Sequence, residues 1–522
     1  MALTDPLPED IETLRGLLRS VAAERDTVLA ERDLLAEQND RLRHLLRQLQ
    51  RMQFGRRSEK LDPDQLQLAL EDIEQAVAQG TAEAEKRDPR LQASASRQRR
   101  ESRPSLPPHL PRIEVVIALE ETSCPCCGGA MHVIGEETSE RLDVIPVQYR
   151  VIRTRRPKYA CRACEAAVVQ APAPERLIKG GLPTEAMVAH VLVSKYAWHL
   201  PLYRQAQMLA SQGIEIDRAT LALWVGYAAA ELAPLAERLR QLLLGSPKIT
   251  VDETPAPVLD PGRGRTKIGY FWAIARDDRP WGGPEPPAVV YTYMPGRSAA
   301  LGLRPLVNYC GIVQCDGYAV YKQMADPRRQ PGAATLAFCW AHLRRRFYDL
   351  AKGGAAPLAE EALARIAALY AIEKKIRGRS AATRLAVRHA EAAPLVAELK
   401  SWFETQLARV SAKSVIATAF RYGLNHWDGL ARYLEDGRIE IDSNAVERTM
   451  RGIALNRKNA LFAGHDAGAA NWACIASLIE TAKLNAVDPQ AWLADTLEKL
   501  VNLWPAARID ELLPWAYPRA KA

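Results

Sequence analysis

At 522 residues the chain is too long for one core, and about 150 residues per domain suggests three or four modules. Hydrophobic residues make up 48% and charged residues 25%, ordinary globular values that exclude a wholly disordered, collagen-like or membrane-embedded chain. The net charge is +8 with a pI near 9.0, a modest surplus whose location matters more than its size.

The first residues lack a charged segment followed by an apolar run, and no stretch reaches about 18 uninterrupted apolar residues. A cytoplasmic chain with no membrane partner is therefore expected. Nine cysteines are an odd number for a disulfide framework, and four of them fall into two tight pairs, which favours metal over disulfides.

From residue 11 to 53, Leu14, Val21, Val28, Leu35, Leu42 and Leu49 recur every seven residues, with Ile11, Leu18 and Leu46 as a second, interrupted seam. Sustained heptads predict a coiled coil and self-association; a helix packing its stripe on its own chain is the other reading. After Phe54-Gly-Arg-Arg-Ser-Glu-Lys60 a second short helix is expected to about Gln79. Residues 81–112 then read as a basic flexible linker, with eight Lys/Arg against four acids, able to grip phosphates or simply to be solvated.

Cys124-Pro-Cys-Cys127-Gly-Gly and Cys161-Arg-Ala-Cys164 are two C-x2-C knuckles on strand-like sequence such as Val144 to Ile152. Cys124, Cys127, Cys161 and Cys164 predict one structural zinc ion, four thiolates closing a tetrahedron, although Cys126 could replace a neighbour. Cys310, Cys315, Cys339 and Cys474 read as buried packing. Residues 182–245 read as helical. Within them Tyr203 to Ser211, a turn, and Asp217 to Tyr227 resemble a DNA-reading helix-turn-helix with Arg218 near the start of its second helix, or an ordinary helical hairpin.

From Pro247 short strands are expected at Lys248 to Asp252, Gly269 to Arg276 and Ala288 to Tyr293. A helix follows at Ser298 to Tyr309, then strands at Gly311 to Asp316 and Thr335 to Trp340, then a helix from about His342. This is the element order of an RNase H-like α/β core. Asp252 and Asp316 would end adjacent strands and converge. The third acid is Glu447, on a helix capped near Asp442, where about 100° per residue groups it with Arg451, Lys458 and Asn444 on one face. Three carboxylates can hold two Mg²⁺ (or Mn²⁺) ions for in-line phosphoryl displacement, beside cations that bind DNA phosphates. His342 reads as a cap at a strand–helix junction or as a residue orienting a phosphate; Trp272, Trp340, Trp427 and Trp472 read as core.

Val251-Asp-Glu-Thr254, Cys315-Asp-Gly-Tyr318, Cys339-Trp-Ala-His-Leu-Arg-Arg-Arg-Phe347, Ser443-Asn-Ala-Val-Glu-Arg-Thr-Met-Arg451 and Ser477-Leu-Ile-Glu-Thr-Ala-Lys483 together resemble the TnpC-type transposases of the bacterial insertion sequence 66 family. The likeness covers nearly the whole chain, including the N-terminal helix and the cysteine module. It implies a DDE transposase with Asp252, Asp316 and Glu447 as its triad, cleaving 3′ ends and transferring strands. It also implies a helical insertion at about 355–407, binding to terminal repeats and target DNA, and small accessory proteins encoded by the same element. Cys126, and His465 in Gly464-His-Asp-Ala-Gly468, depart from the family pattern. The expected division is a multidomain α+β chain: 1–80 coiled coil, 81–112 linker, 113–175 zinc module, 176–246 helical DNA-binding region, 247–485 catalytic core, and 486–522 helical tail. On DNA the protein would be nucleoid-associated.

Overall fold

The computed structural model describes residues 10–23, 25–26, 88–101, 148–155, 158–160, 168–170, 173–179, 181–260, 265–354, 356–460 and 463–518. They fall into two units, divided after Val151.

In the first unit, residues 11–23 are helical. Asp10 caps this helix, its Oδ2 accepting the N–H of Thr13 at 2.9 Å. Ile11, Leu18 and Val21 stand 66%, 69% and 60% exposed, so the seam that the heptads mark has no cover within this unit's described residues. The later heptad positions from Val28 to Leu49, the Phe54–Lys60 break and the second short helix lie outside the described residues. Pro89–Glu101 is a 13-residue helix where a flexible linker is expected. Its sequence explains the difference: Asp88 Oδ1 accepts the N–H of Arg90 at 2.8 Å, proline takes the first helical position, and Ala, Gln and Arg are good helix formers.

The second unit begins at Ile152. Residues 148–155, expected to be strand-like in part, take no regular structure. β1 (Lys158–Ala160) and β2 (Val168–Gln170) pair antiparallel. Cys161 and Cys164, which follow β1, lie outside the described residues, as do Cys124, Cys126 and Cys127.

Five further strands form one mixed sheet in the order β5-β4-β3-β6-β7: β3 (Lys248–Asp260), β4 (Arg265–Arg276), β5 (Ala288–Met294), β6 (Ile312–Cys315) and β7 (Thr335–Phe338). β3, β4 and β5 are an antiparallel meander, and β6 and β7 run parallel to β3. β3 is far longer than expected, so Asp252 lies within it rather than at its end. Pro255 and Pro257 lie within its continuation. They are tolerated because β6 covers only Lys248 to Thr250, leaving the outer edge of β3 open where a proline lacks its N–H. Farther out that edge is clipped by Leu259 N–H to Ala463 O at 2.8 Å and Ala463 N–H to Pro257 O at 3.0 Å. The helix expected over Ser298 to Tyr309 is broken into a turn at Ala299–Gly302 and a 3₁₀ turn at Arg304–Leu306, where Pro305 interrupts it.

Three helices precede the sheet: α1 (Glu185–Tyr196), α2 (Leu202–Ala210) and α3 (Arg218–Leu244). Asp217 caps α3, accepting the N–H of Thr220 at 2.6 Å. α3 runs 27 residues, well past Tyr227, and is long and apolar enough by composition to cross a membrane. Its stripe of Leu221, Trp224, Val225, Ala228, Leu232, Leu235, Leu239 and Leu243 is instead buried in the protein core.

After β7 come α4 (Trp340–Ala351), α5 (Pro357–Ile376), α6 (Ala381–Val387), α7 (Ala393–Arg409) and α8 (Val415–Asn425). Trp340 opens α4 rather than closing a strand. The inserted helices share one core with α4: Leu343 and Phe347 meet Ile366, Leu369, Leu399, Phe403 and Phe420. α9 (Asn444–Ala460), α10 (Asp466–Leu484) and α11 (Pro489–Val501) follow. α10 closes the free edge of β5, because Ser477 Oγ accepts the N–H of Tyr291 at 2.8 Å and Thr481 Oγ1 accepts that of Val289 at 3.1 Å. An exposed strand edge is thus protected by hydroxyls of the Ser477–Lys483 motif. His465 caps α10, its Nδ1 accepting the N–H of Gly468 at 2.8 Å, which is the work a small polar residue would do there. α11 packs on α1.

Candidate active site

The last β3–β6 pair is Thr250 with Gln314, so Asp252 and Asp316 each lie two residues farther along parallel neighbours and come level. Asp316 leaves β6 in a tight turn: its Oδ1 accepts the N–H of Tyr318 at 2.9 Å. Gly317 has no room for a side chain, since a Cβ would stand 2.7 Å from His426 Nε2 and 2.8 Å from Tyr422 Oη. Gly317→Ala is therefore expected to cost about 1 to 3 kcal/mol and to displace Asp316. A thermal midpoint unchanged from the parent protein would contradict that reading.

Glu447 is brought to the same place by a series of buried contacts. Gln314, fully buried in β6, donates to Glu440 O at 2.6 Å and Asp442 O at 3.1 Å. Trp340 N–H donates to Ile441 O at 3.1 Å, and Ser443 N–H to Cys339 Sγ at 3.2 Å. These bonds set the start of α9, and Glu447 follows one turn later, with Ser443 Oγ donating to its Oε1 at 3.3 Å. α9 lies against β3, and Tyr291 Oη in β5 donates to Thr449 O at 2.8 Å. Asp442 stands at the helix start as expected, accepting the backbone N–H of Asn444 at 3.2 Å.

The electrostatics follow from that convergence. Burial pushes the Asp252 carboxyl up to about 7, and the neighbouring charges of Glu253, Glu447 and Asp316 add to the rise. Such a cluster is short of positive charge. Glu253, the next residue, is buried and raised for the same first reason, burial, but it has its own partners: Arg297 Nη2 at 2.5 Å and Tyr321 Oη at 2.6 Å. Arg297 stacks on Tyr318, 3.9 Å from its ring centre, so it is held in place for Glu253.

Asn444 turns its amide onto Asp442 Oδ2 at 2.8 Å, and Arg451 and Lys458 are exposed along the same helix as Glu447. Arg218 is exposed at the start of α3. Sequence reasoning missed Arg345, whose Nη2 lies 4.0 Å from Glu447 Oε2, and of its two readings of His342 the cap is not what the structure has. His342 is the third residue of α4 and caps nothing; its Nδ1 lies 3.7 Å from Glu447 Oε1. The signal was the apolar spacing of Trp340, Leu343 and Phe347, which leaves His342 and Arg345 together on another face. A cavity of about 520 Å³ opens beside them, lined by Arg344, Arg345, Tyr348, Tyr370 and Asn444. Cys315 and Cys339 are buried as expected, whereas Cys310 is exposed, in the loop before β6 where packing does not reach it.

Residues 180–471 match the profile described as the transposase IS66 family, which defines the class: a transposase, an enzyme that processes DNA. Residues 121–165 match the zinc-finger binding domain of transposase IS66, residues 41–115 the transposase C of IS166 homeodomain, and residues 477–515 the IS66 C-terminal element. The chain belongs to the IS66 transposase family. It is 44% identical to y4jD of Sinorhizobium fredii, over 98% of this chain and 97% of that one. It is 41% identical to y4qI of the same organism, over 98% of both, and 36% identical to y4hP, over 91% of this chain and 88% of the relative. The zinc-finger match supports zinc binding, and the family implies DNA binding.

Proposed function

We propose that this transposase is a DDE enzyme that cleaves the 3′ ends of its element and transfers them to target DNA, with Asp252, Asp316 and Glu447 as its catalytic carboxylates. The observation that carries the reading is the convergence of half-buried acids from β3, the turn after β6 and α9, an under-neutralised group in which the Asp252 carboxyl is raised. The sheet order, with a meander joined to two parallel strands, supports an RNase H-like core.

The donor set suits a hard divalent ion, because all three groups offer oxygen and their mutual repulsion is relieved by a cation. Asp252, Asp316 and Glu447 would hold two Mg²⁺ or Mn²⁺ ions; when bound, such a pair activates an attacking oxygen and stabilises the leaving oxygen of a phosphodiester. The chain's own residues do the rest. Arg297 and Tyr321 keep Glu253 occupied, so it does not compete for the same cation. Arg345 and Arg451 give the DNA backbone positive charge beside the carboxylates, Lys458 adds to it about three turns farther along α9, and Asn444 orients the helix start. Arg218 on α3 contacts DNA away from the site, in a helix-turn-helix that reads terminal repeats. Cys124, Cys127, Cys161 and Cys164 hold one zinc ion, and the heptad helix joins copies of the chain.

The test is incubation of the full chain with its element-end DNA in Mg²⁺ or Mn²⁺. Cleavage leaving a free 3′-OH, followed by joined product on a strand-transfer gel, is expected; cleavage without joining would make it a nuclease, and activity without a divalent ion would overturn the reading.

A further inference from the structure

Cys339 and His342 form with Glu447 a cluster of which the three-carboxylate site uses only Glu447. Their donor atoms, one sulfur, one nitrogen and one oxygen, all lie within 4.8 Å of one another. Cys339 is buried, which pushes its thiol up to about 11, and its Sγ already accepts the N–H of Ser443, a bond that works in the other direction. His342 Nδ1 is cut off from water, makes no hydrogen bond, and faces Glu447 Oε1 at 3.7 Å. A buried ring nitrogen without a partner calls for an explanation. Cys339 and His342 are fixed by the β7–α4 junction, and Glu447 arrives from α9, so the three ligands come from two rigid elements.

Thiolate, imidazole and one carboxylate select a borderline-soft ion of the zinc class, whereas magnesium prefers oxygen alone. Donors on a tetrahedral zinc ion are about 3.3 to 3.5 Å apart given metal–ligand lengths of about 2.0 to 2.3 Å. Side-chain rotation of roughly 1 Å closes the present spacing to that range. The fourth position is left for water, and the thiol proton passes to solvent as the sulfur coordinates.

We propose that Cys339, His342 and Glu447 are a second metal site, specific for zinc-class ions, and that its occupation inhibits the enzyme by withdrawing Glu447 from Asp252 and Asp316. The inhibitory half rests on the DDE reading; the binding half does not.

The experiment measures zinc uptake by the full chain against a chromophoric chelator, with Cys339→Ser, His342→Gln and Cys310→Ser as variants and circular dichroism as the check on folding. The parent protein and Cys310→Ser are expected to take up one equivalent more than folded Cys339→Ser or His342→Gln. Equal uptake by all four would overturn the site. In the cleavage assay, free Zn²⁺ added against Mg²⁺ is expected to slow the parent about 10-fold or more, and each variant far less relative to its own zinc-free rate. Binding without that inhibition would overturn the inhibitory role, whereas absence of cleavage under all conditions would instead overturn the DDE reading and leave the uptake result standing.

Discussion

Replacing Arg388 by leucine lowers the unfolding free energy by about 3 to 5 kcal/mol, the usual result of removing one partner from a buried ion pair. Arg388 is fully buried. It donates to both oxygens of Glu373 at 2.7 Å and to the carbonyls of Tyr433, Asp436 and Ile439 at 2.8, 3.1 and 2.8 Å. Beside it, Arg384 spans Glu373 at 3.3 Å and Glu440 at 2.5 Å. This network fastens the inserted helices to residues 433–440, the segment that leads into α9 and so to Glu447. The double variant Arg388→Leu with Glu373→Leu should recover part of the loss, since it no longer leaves a carboxylate buried without its main partner. Denaturant unfolding checks both. If Arg388→Leu alone moves stability by less than about 1 kcal/mol, the network does not hold the insertion in place.

Asp252→Asn acts in two opposite directions. The folded Asp252 carboxyl titrates at about 7, above its ordinary value near 3.8, so the native chain keeps a proton that the unfolded chain has already released. That contribution to stability is present below about pH 4, falls as pH rises, and is lost once pH passes about 7. Asparagine carries no charge to desolvate. Without added divalent ions the variant should therefore be more stable than the parent at pH 8, by on the order of 2 to 4 kcal/mol, and nearly equal only at or below about pH 4. Added Mn²⁺ should raise the thermal midpoint of the parent and not of the variant. On the proposed DDE reading the same substitution should lower the cleavage rate about 10²- to 10⁴-fold, because a metal held there would lose a ligand worth several kcal/mol to the reaction. A variant that is less stable than the parent at pH 8 would mean that Asp252 is not under electrostatic strain.

Much of this site was legible in the sequence because its carboxylates stand on regular elements or directly after one. The strand pattern placed Asp252 and Asp316 on neighbours, and helical spacing put Arg451 and Lys458 on the helix of Glu447. The misreadings have local causes. The first strand was ended at Asp252, yet it runs on through Pro255 to Asp260, because an open strand edge needs no N–H there. Residues 89–101 were read as flexible from a polar, Pro/Ser-rich composition, although a capping aspartate and Pro89 start a helix. Contacts that join distant segments were not legible at all. Nothing in the local sequence says that buried Gln314 holds the carbonyls of Glu440 and Asp442, that Arg388 anchors the insertion, or that Ser477 and Thr481 close the edge of β5. These depend on which surfaces meet, and burial then decides which polar groups must find each other.

The most direct measurement of the central claim is end cleavage by the parent protein and by Asp252→Asn, Asp316→Asn and Glu447→Gln, on matched element-end DNA in Mg²⁺ or Mn²⁺. A parent that cleaves, with all three variants folded and reduced by about 10²-fold or more, is the predicted result. Undiminished cleavage by any one of the three would contradict it.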